Sequence, residues 1–177
     1  MQPVSLDAKR YDGTTILLHW ATAVLVAEQW LGAQIIDWFP RGALRVDARS
    51  VHIVLGVLLA ILLLARALWR SSRGRRLPPA DSGFLGLASK LTHWALYGLL
   101  AAMVLIGVVL TWARGDSLFN LFSIPAYDPG NHALANQIQD IHAALGWIIL
   151  ALAGIHAAAA LFHRYAWRDG VLGRMLP

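Results

Sequence analysis

Apolar residues in this chain gather into four long segments, separated by shorter stretches rich in arginine, aspartate, glycine and proline. The segments cover residues 16–36, 51–69, 84–112 and 141–162. Each one approaches or exceeds the roughly 20 apolar residues that a helix needs to cross a bilayer. The pattern therefore predicts an all-α fold, a four-helix transmembrane bundle, in which residues 1–177 form a single integral-membrane domain. A polar outer loop is expected between helices three and four, from about Ala113 to Gln139.

The composition supports a membrane protein and narrows the chemistry. Hydrophobic residues make up 58% of the chain and charged residues only 14%, which is far from the averages of soluble proteins. The sequence contains no cysteine. Disulfides, thiolate haem ligation and iron–sulfur clusters are therefore excluded, and histidine becomes the candidate metal ligand.

The basic residues are distributed unevenly between the two sides of a chain that crosses the membrane four times. One side carries most of them: Lys9, Arg10, Arg66, Arg70, Arg73, Arg75, Arg76, Lys90, Arg164, Arg168 and Arg174. The other side carries Arg41, Arg45, Arg49 and Arg114. By the positive-inside rule, both termini are expected to be cytoplasmic. The high pI then reflects topology, so nucleic acid is not an expected partner.

Histidine recurs within the apolar segments, where an ionisable side chain is costly and typically marks a ligand, a relay or a substrate path. His142 and His156 are fourteen residues apart, which places them on similar faces of one helix and separates them in depth by about 21 Å. His52 joins His142 in an outer layer. The inner layer contains three histidines, with a fourth at the inner surface: His19, His93, His156 and His163.

Neutral histidines among alanine, glycine, leucine and tryptophan favour haem over zinc. Haem needs two axial ligands and an apolar slot, whereas zinc usually needs three or four converging ligands with carboxylates behind them. Gly56 and Gly146 each follow an outer-layer histidine by four residues, on the face where a flat macrocycle needs room. The alternative is that some of these histidines only form hydrogen bonds between helices. Spacing alone leaves open which of the three inner histidines form a pair.

Glu28 is the one acidic residue well inside a predicted span, nine residues after His19 and therefore on the opposite helix face. Two interpretations remain open for it: a hydrogen bond to a neighbouring helix, or a proton relay.

Several motifs together resemble the bacterial cytochrome b561 family, and within it the superoxide oxidase branch. They extend over nearly the whole chain: Leu18-His19-Trp20, His52-x-x-x-Gly56, His93, Arg114-Gly115, Pro125-x-Tyr127, His156-Ala-Ala-Ala-Ala-Leu-Phe-His163-Arg-Tyr165, Trp167, Asp169 and Arg174-Met-Leu-Pro177. The resemblance implies a bacterial inner-membrane protein with two haem b groups, the outer held by His52 and His142 and the inner by His19 and His156. It leaves His93 and His163 free for a quinone, near Lys90 and Trp94.

The resemblance also implies a function, namely that electrons pass from superoxide at the outer haem to ubiquinone at the inner haem. A positive funnel would draw in the small superoxide anion. The candidates for it are Arg41, Arg45, Arg49 and Arg114. An alternative is that nearby acids neutralise these arginines: Asp37, Asp47, Asp116, Asp128 and Asp140. The second candidate function is a cytochrome b subunit that links a periplasmic dehydrogenase or hydrogenase to the quinone pool.

Overall fold

The computed structural model describes residues 10–176, and it confirms the four-helix fold. The helices are α1 (Gly13–Ile35), α2 (Ala43–Ser72), α3 (Gly83–Arg114) and α4 (His132–Phe162). All four are long and apolar enough to cross a membrane. Two short strands, β1 (Ser117–Leu118) and β2 (Phe122–Ser123), form an antiparallel hairpin after α3. Residues 1–9 and Pro177 lie outside the described residues, and with them the expected inner-side Lys9 and the last residue of the Arg174-Met-Leu-Pro177 motif.

The helices are longer than the apolar segments, because polar end residues continue the helical hydrogen bonding beyond the membrane core. The largest displacement of a single helix end is at α4, which begins at His132, so the predicted outer loop to Gln139 is too long. The Asn131 side chain accepts a hydrogen bond from the backbone N–H of Leu134, which satisfies one of the free N–H groups of the first turn. Gly115 ends α3 at a φ of 66°, a left-handed conformation that glycine adopts without strain.

Helix α1 packs on α2, α2 on α3, α3 on α4 and α4 on α1, which closes the ring of a bundle. Many large apolar side chains face outward; Leu17, Val24 and Leu31 are examples, each more than half exposed. Such a surface is stable against lipid chains, which are themselves apolar. The buried apolar residues are few: Ile16, Leu25, Leu59, Leu100, Leu110, Ala135 and Ile149.

The N-terminal and C-terminal residues meet at one end of the bundle, which we call the inner end. The backbone N–H of Tyr11 donates to the carbonyl of Arg174 at 3.1 Å, and Arg10 donates to the carbonyl of Leu176. The Trp20 indole N–H donates to the carbonyl of Met175 at 2.7 Å. The segment after α4 therefore crosses the inner end of α1. Four membrane crossings return a chain to the side from which it started, which agrees with this contact.

Asp12 joins three segments at the inner end. Its carboxylate caps α1 by accepting from the N–H and hydroxyl of Thr15, at 2.9 and 2.7 Å. It also accepts from the indole N–H of Trp69 at 2.8 Å and from the backbone N–H of Arg75 at 2.9 Å. Partial burial would raise the pKa of Asp12, but these hydrogen bonds outweigh it and hold the pKa well below the ordinary carboxyl value.

We expect Asp12→Ala to lower the free energy of unfolding by about 2 kcal/mol, because it removes a helix cap and leaves several donors without their charged acceptor. Because the folded-state pKa is lowered, the contribution of Asp12 is present above the ordinary carboxyl pKa and is lost as the pH falls below it. Thermal unfolding in detergent at neutral and acidic pH would measure both effects. Ser82→Ala is the control, since Ser82 precedes α3 without a capping hydrogen bond. Equal midpoints for the two variants at neutral pH would contradict this role.

Candidate functional site: two layers of paired histidines

The outer layer contains one pair of opposed imidazoles. His52 extends from α2 and His142 from α4, with ring centroids 6.3 Å apart and ring planes at 76°. Gln29 on α1 donates to the backbone carbonyl of His52 at 3.0 Å, so a third helix braces the pair. These two histidines are therefore brought together as the sequence predicts.

The inner layer contains three imidazoles, and His156 on α4 is the one that contacts both others. The centroid of His19 is 6.3 Å from that of His156, with an interplanar angle of 77°. The centroid of His93 is closer, at 5.2 Å. The His19–His156 pair thus has nearly the same separation and angle as the outer pair, and the His93–His156 contact differs from both.

These dimensions allow a test of whether the histidines fit haem. A metal bonded at about 2 Å to the facing nitrogen of each of two opposed imidazoles places the ring centroids about 6 Å apart. Both 6.3 Å pairs meet this condition, and the 5.2 Å contact is too short for it. In the described part of the chain, no third carboxylate, histidine or cysteine ligand joins either pair to form a zinc-like site. The donor set therefore fits two bis-imidazole sites.

Two further observations support a ligand role for these residues. The Nδ1 atoms of His19, His52 and His142 are buried and lack a hydrogen-bond partner among the described residues, which is costly for a polar atom in an apolar site. Gly107 on α3 also lies against His142, since a Cβ atom there would be 3.2 Å from Cε1 of the imidazole. A side chain at position 107 would crowd the ring.

Two of the four outer arginines line one cavity. This cavity, of about 520 Å³, lies at the outer end of the bundle and includes Arg49 and Arg114 in its wall. Arg114 lies seven residues after Gly107 on α3, two turns or about 10 Å toward the outer end from the contact with His142. The cavity is therefore on the outer side of the His52–His142 layer.

The outer charges are only partly neutralised. Arg49 pairs with the buried carboxylate of Asp116 at 3.0 Å. Arg45 pairs with Asp37 at 3.4 Å and also donates to backbone carbonyls, away from the cavity. Arg114 donates to the amide oxygen of Gln139 and has no carboxylate within ion-pair distance in the described residues. The other predicted member, Arg41, is exposed and does not line the cavity.

The remaining outer acids have no arginine partner in the described residues. Asp47 accepts from Asn120 at 3.3 Å, and Asp128 accepts from Asn131 at 3.0 Å. Asp140 is exposed. Among the described residues, Arg45 and Arg49 are thus paired with carboxylates, as the second interpretation of the sequence expects, whereas Arg41 and Arg114 are not.

The four residues predicted to line a quinone site are not in one tight cluster. Lys90 and Trp94 are exposed on neighbouring turns of α3, and His93 contacts His156. His163 lies seven residues after His156, about 10 Å further toward the inner end. The described contacts of His163 are with Asp81, Trp167 and Asp169.

Sequence reasoning missed Asp81 and His132 at these sites, and it missed the contact that Arg66 makes. Asp81 was not considered, because it lies far from His163 in sequence and only the folded chain brings the two together. His132 begins α4 and lines the outer cavity, where the loop had been expected. Arg66 places its guanidinium 5.1 Å from the ring centroid of Tyr97, a cation–π contact within the bundle. For Glu28, the expected hydrogen bond to a neighbouring helix is not found, since its buried Oε2 has no partner among the described residues.

The sequence of this chain is similar to those of several known proteins. A family model described as prokaryotic cytochrome b561 matches residues 10–177. A protein of Yersinia pestis named probable superoxide oxidase CybB is 30% identical, over 96% of this chain and 97% of that protein. Cytochrome b561 homolog 1 of Escherichia coli is 32% identical over 95% and 97% of the two chains. Cytochrome b562 of Cereibacter sphaeroides is 28% identical over 94% of each.

The contact between Gly107 and His142 leads to a prediction. We expect Gly107→Ala to displace the His142 ring by a few tenths of an ångström, to destabilise the protein by about 1 kcal/mol and to alter the absorption of haem in that layer. Gly98→Ala on the same helix is the matched control, because an added methyl group there meets no atom within 4 Å. Absorption spectra and thermal unfolding of the two variants would measure the difference. Identical spectra and midpoints would show that position 107 does not constrain the imidazole.

Proposed function

This chain belongs to the prokaryotic cytochrome b561 family, and from that premise we propose that it takes electrons from superoxide at the outer end of the bundle and passes them to ubiquinone at the inner end. The family consists of membrane electron-transfer proteins that bind haem b. Two superoxide ions would each lose one electron and leave as O₂. One ubiquinone would take up the two electrons, together with two protons, to give ubiquinol.

The observation that carries this proposal is the pair of matched imidazole contacts at two depths of the same bundle. We assign His52 and His142 as ligands of an outer haem b, and His19 and His156 as ligands of an inner one. When bound, haem supplies one-electron redox chemistry at iron. His93 is then left free in the inner layer.

The outer cavity supports a small anionic donor. Arg49 and Arg114 line it, and the partial neutralisation of Arg49 by Asp116 leaves Arg114 as the lining arginine without a carboxylate partner in the part described. Asp116 and Asp128 line the same cavity, so the attraction of an anion rests on Arg114 and not on the net charge of the wall. A cation without a paired carboxylate raises the local concentration of anions and speeds their encounter. The name of the Yersinia pestis relative agrees with superoxide as the donor.

The inner end supports a quinone acceptor. His93 on α3 contacts His156, and His163 at the end of α4 lies about 10 Å further toward the inner end. Imidazole N–H groups donate to quinone carbonyl oxygens. Lys90 and Trp94 are exposed beside His93, at the level where a lipid-soluble molecule would enter. We further propose that the inner end faces the cytoplasm of a bacterial inner membrane, since it carries most of the arginines.

The ligand assignment predicts which variants lose haem. We expect His142→Ala to lose one haem and retain the other, and His156→Ala to lose the other one, because the two histidines belong to different layers. His93→Ala should retain both. Haem content per chain and reduced-minus-oxidised spectra would measure this. The assignment is wrong if His93→Ala loses a haem while His19→Ala keeps two.

The donor is tested with the isolated protein and superoxide. Without any partner, the protein should be reduced by superoxide faster than superoxide dismutes, and added superoxide dismutase should suppress the reduction. We expect Arg114→Glu to lower the second-order rate by about tenfold at low ionic strength and by less near 0.15 M salt, where the Debye length is about 8 Å. Arg41→Glu is the matched control, since it makes the same charge change outside the cavity.

Two outcomes would overturn this proposal in different ways. If Arg114→Glu and Arg41→Glu have equal effects, the cavity is not the entry path. If the wild-type protein with both haems bound is not reduced by superoxide, the donor is wrong. The protein would then be an electron-transfer subunit that accepts electrons from a periplasmic dehydrogenase or hydrogenase.

A further inference from the structure

His163 is held between two carboxylates at the inner end of the bundle. Its Nδ1 atom lies 2.5 Å from Oδ2 of Asp169, and its Nε2 atom lies 3.8 Å from Oδ2 of Asp81. The three residues come from separate places: the turn before α3, the end of α4, and the turn that follows α4. The two ring nitrogens therefore face two different acids.

The exposure of these side chains decreases from Asp169 to His163. The side chain of Asp169 is 34% exposed, that of Asp81 is 20% exposed, and that of His163 is 13% exposed. Trp167 makes an edge-to-face contact with the imidazole, with ring centroids 4.7 Å apart and ring planes at 89°. The imidazole is thus the most buried of the three groups, and both carboxylates are more accessible.

Asp169 is held in place by a second hydrogen bond, and it orients the imidazole ring of His163. Its other oxygen accepts from the backbone N–H of Val171 at 3.1 Å, within a turn whose Arg168 adopts a φ of 54°. The slight burial of Asp169 would raise its pKa, but the hydrogen bonds from His163 and Val171 lower it below the ordinary value. An ionised Asp169 keeps a proton on Nδ1 and leaves Nε2 to exchange protons elsewhere.

A divalent cation is a weaker interpretation of the same three residues. The three residues each offer a ligand atom within reach of one ion, but Nδ1 of His163 and Oδ2 of Asp169 are already joined in a hydrogen bond, which leaves Nε2 and an Asp81 oxygen. The neighbouring sequence is also cationic, with Arg164 and Arg168 beside His163. Two ligands in a positive surrounding do not make a divalent site.

We propose that Asp81 and His163 form a proton path from the inner aqueous surface to the quinone, with Asp169 as the residue that positions the imidazole. This inference rests on the proposed function, because it needs a quinone reduced at the inner end. The Nε2–H of His163 donates its proton to a quinone oxygen as the electrons arrive. Asp81 then returns a proton from the aqueous side to Nε2. Two such transfers supply the two protons that ubiquinol needs.

The groups that face His163 in the described structure are Asp81, Asp169 and the neutral Trp167. Loss of the Asp81 carboxylate should slow proton return and make reduction of the quinone limited by bulk protons. The rate should then depend steeply on pH. Loss of the Asp169 carboxylate should remove the acceptor that holds the ring through Nδ1, so that the imidazole is no longer positioned and the rate falls.

The experiment follows the reoxidation of reduced protein, with its haems bound, by ubiquinone-1 in stopped flow between pH 6 and 8.5. We expect Asp81→Asn to be slowed at least tenfold at pH 8 and much less at pH 6, with a larger solvent deuterium isotope effect than the wild type. Formate, a small carboxylic acid, should restore part of the rate. Asp81→Glu should remain close to wild type. Asp47→Asn is the matched control at the outer end, where no effect is expected.

Haem spectra and midpoint potentials identify any variant whose haem sites are damaged. If Asp81→Asn loses haem, Asp81→Glu and Asp169→Asn test the proposal in its place. The proton path is wrong if the wild type is reoxidised by ubiquinone-1 while Asp81→Asn and Asp169→Asn match it at every pH. It is also wrong if both are slowed equally at all pH values and formate has no effect. A wild type that ubiquinone-1 does not reoxidise would instead remove the quinone acceptor of the proposed function.

Discussion

The burial of imidazole side chains in an apolar bundle is the constraint on which this structure depends. The helical backbone satisfies its own hydrogen bonds within the membrane, but a histidine ring does not. In this chain, four of the spanning histidines meet across helices in two contacts of equal length, 6.3 Å. Each contact includes one histidine of α4. That helix therefore sets the distance between the layers, and α1 and α2 each supply one opposing ring.

The two ends of the bundle differ in their chemistry because different segments close them. At the outer end, charges lie around a cavity, and one ion pair joins the start of α2 to the turn after α3. At the inner end, hydrogen bonds to Asp12 and bonds made by the segment after α4 connect the start of α1, the end of α2 and the loop between α2 and α3. The inner end is thus tied together more extensively, and it contains the His163 cluster with its two carboxylates.

The sequence predicts the number of helices and the two histidine layers well, because hydropathy and a fourteen-residue spacing are local properties of one segment. It predicts contacts between segments poorly. The pairing of Arg49 with Asp116 joins residues 67 positions apart, and no periodic pattern marks it. The start of α4 was misplaced because the side chain of Asn131 caps a polar first turn. The choice among the inner histidines likewise depends on a difference of about 1 Å between ring separations, which spacing cannot resolve.

The separation of the two layers along α4 also has an electrical consequence. His142 and His156 differ in depth by about 21 Å, some two-thirds of a hydrocarbon core of about 30 Å. With the orientation proposed above, each electron that moves between the layers carries negative charge toward a cytoplasm that is already negative. A full elementary charge costs about 2.3 kcal/mol per 100 mV, so this step costs about 1.6 kcal/mol at that potential. The protein would therefore add to the membrane potential as it works, and a fully energised membrane would slow it.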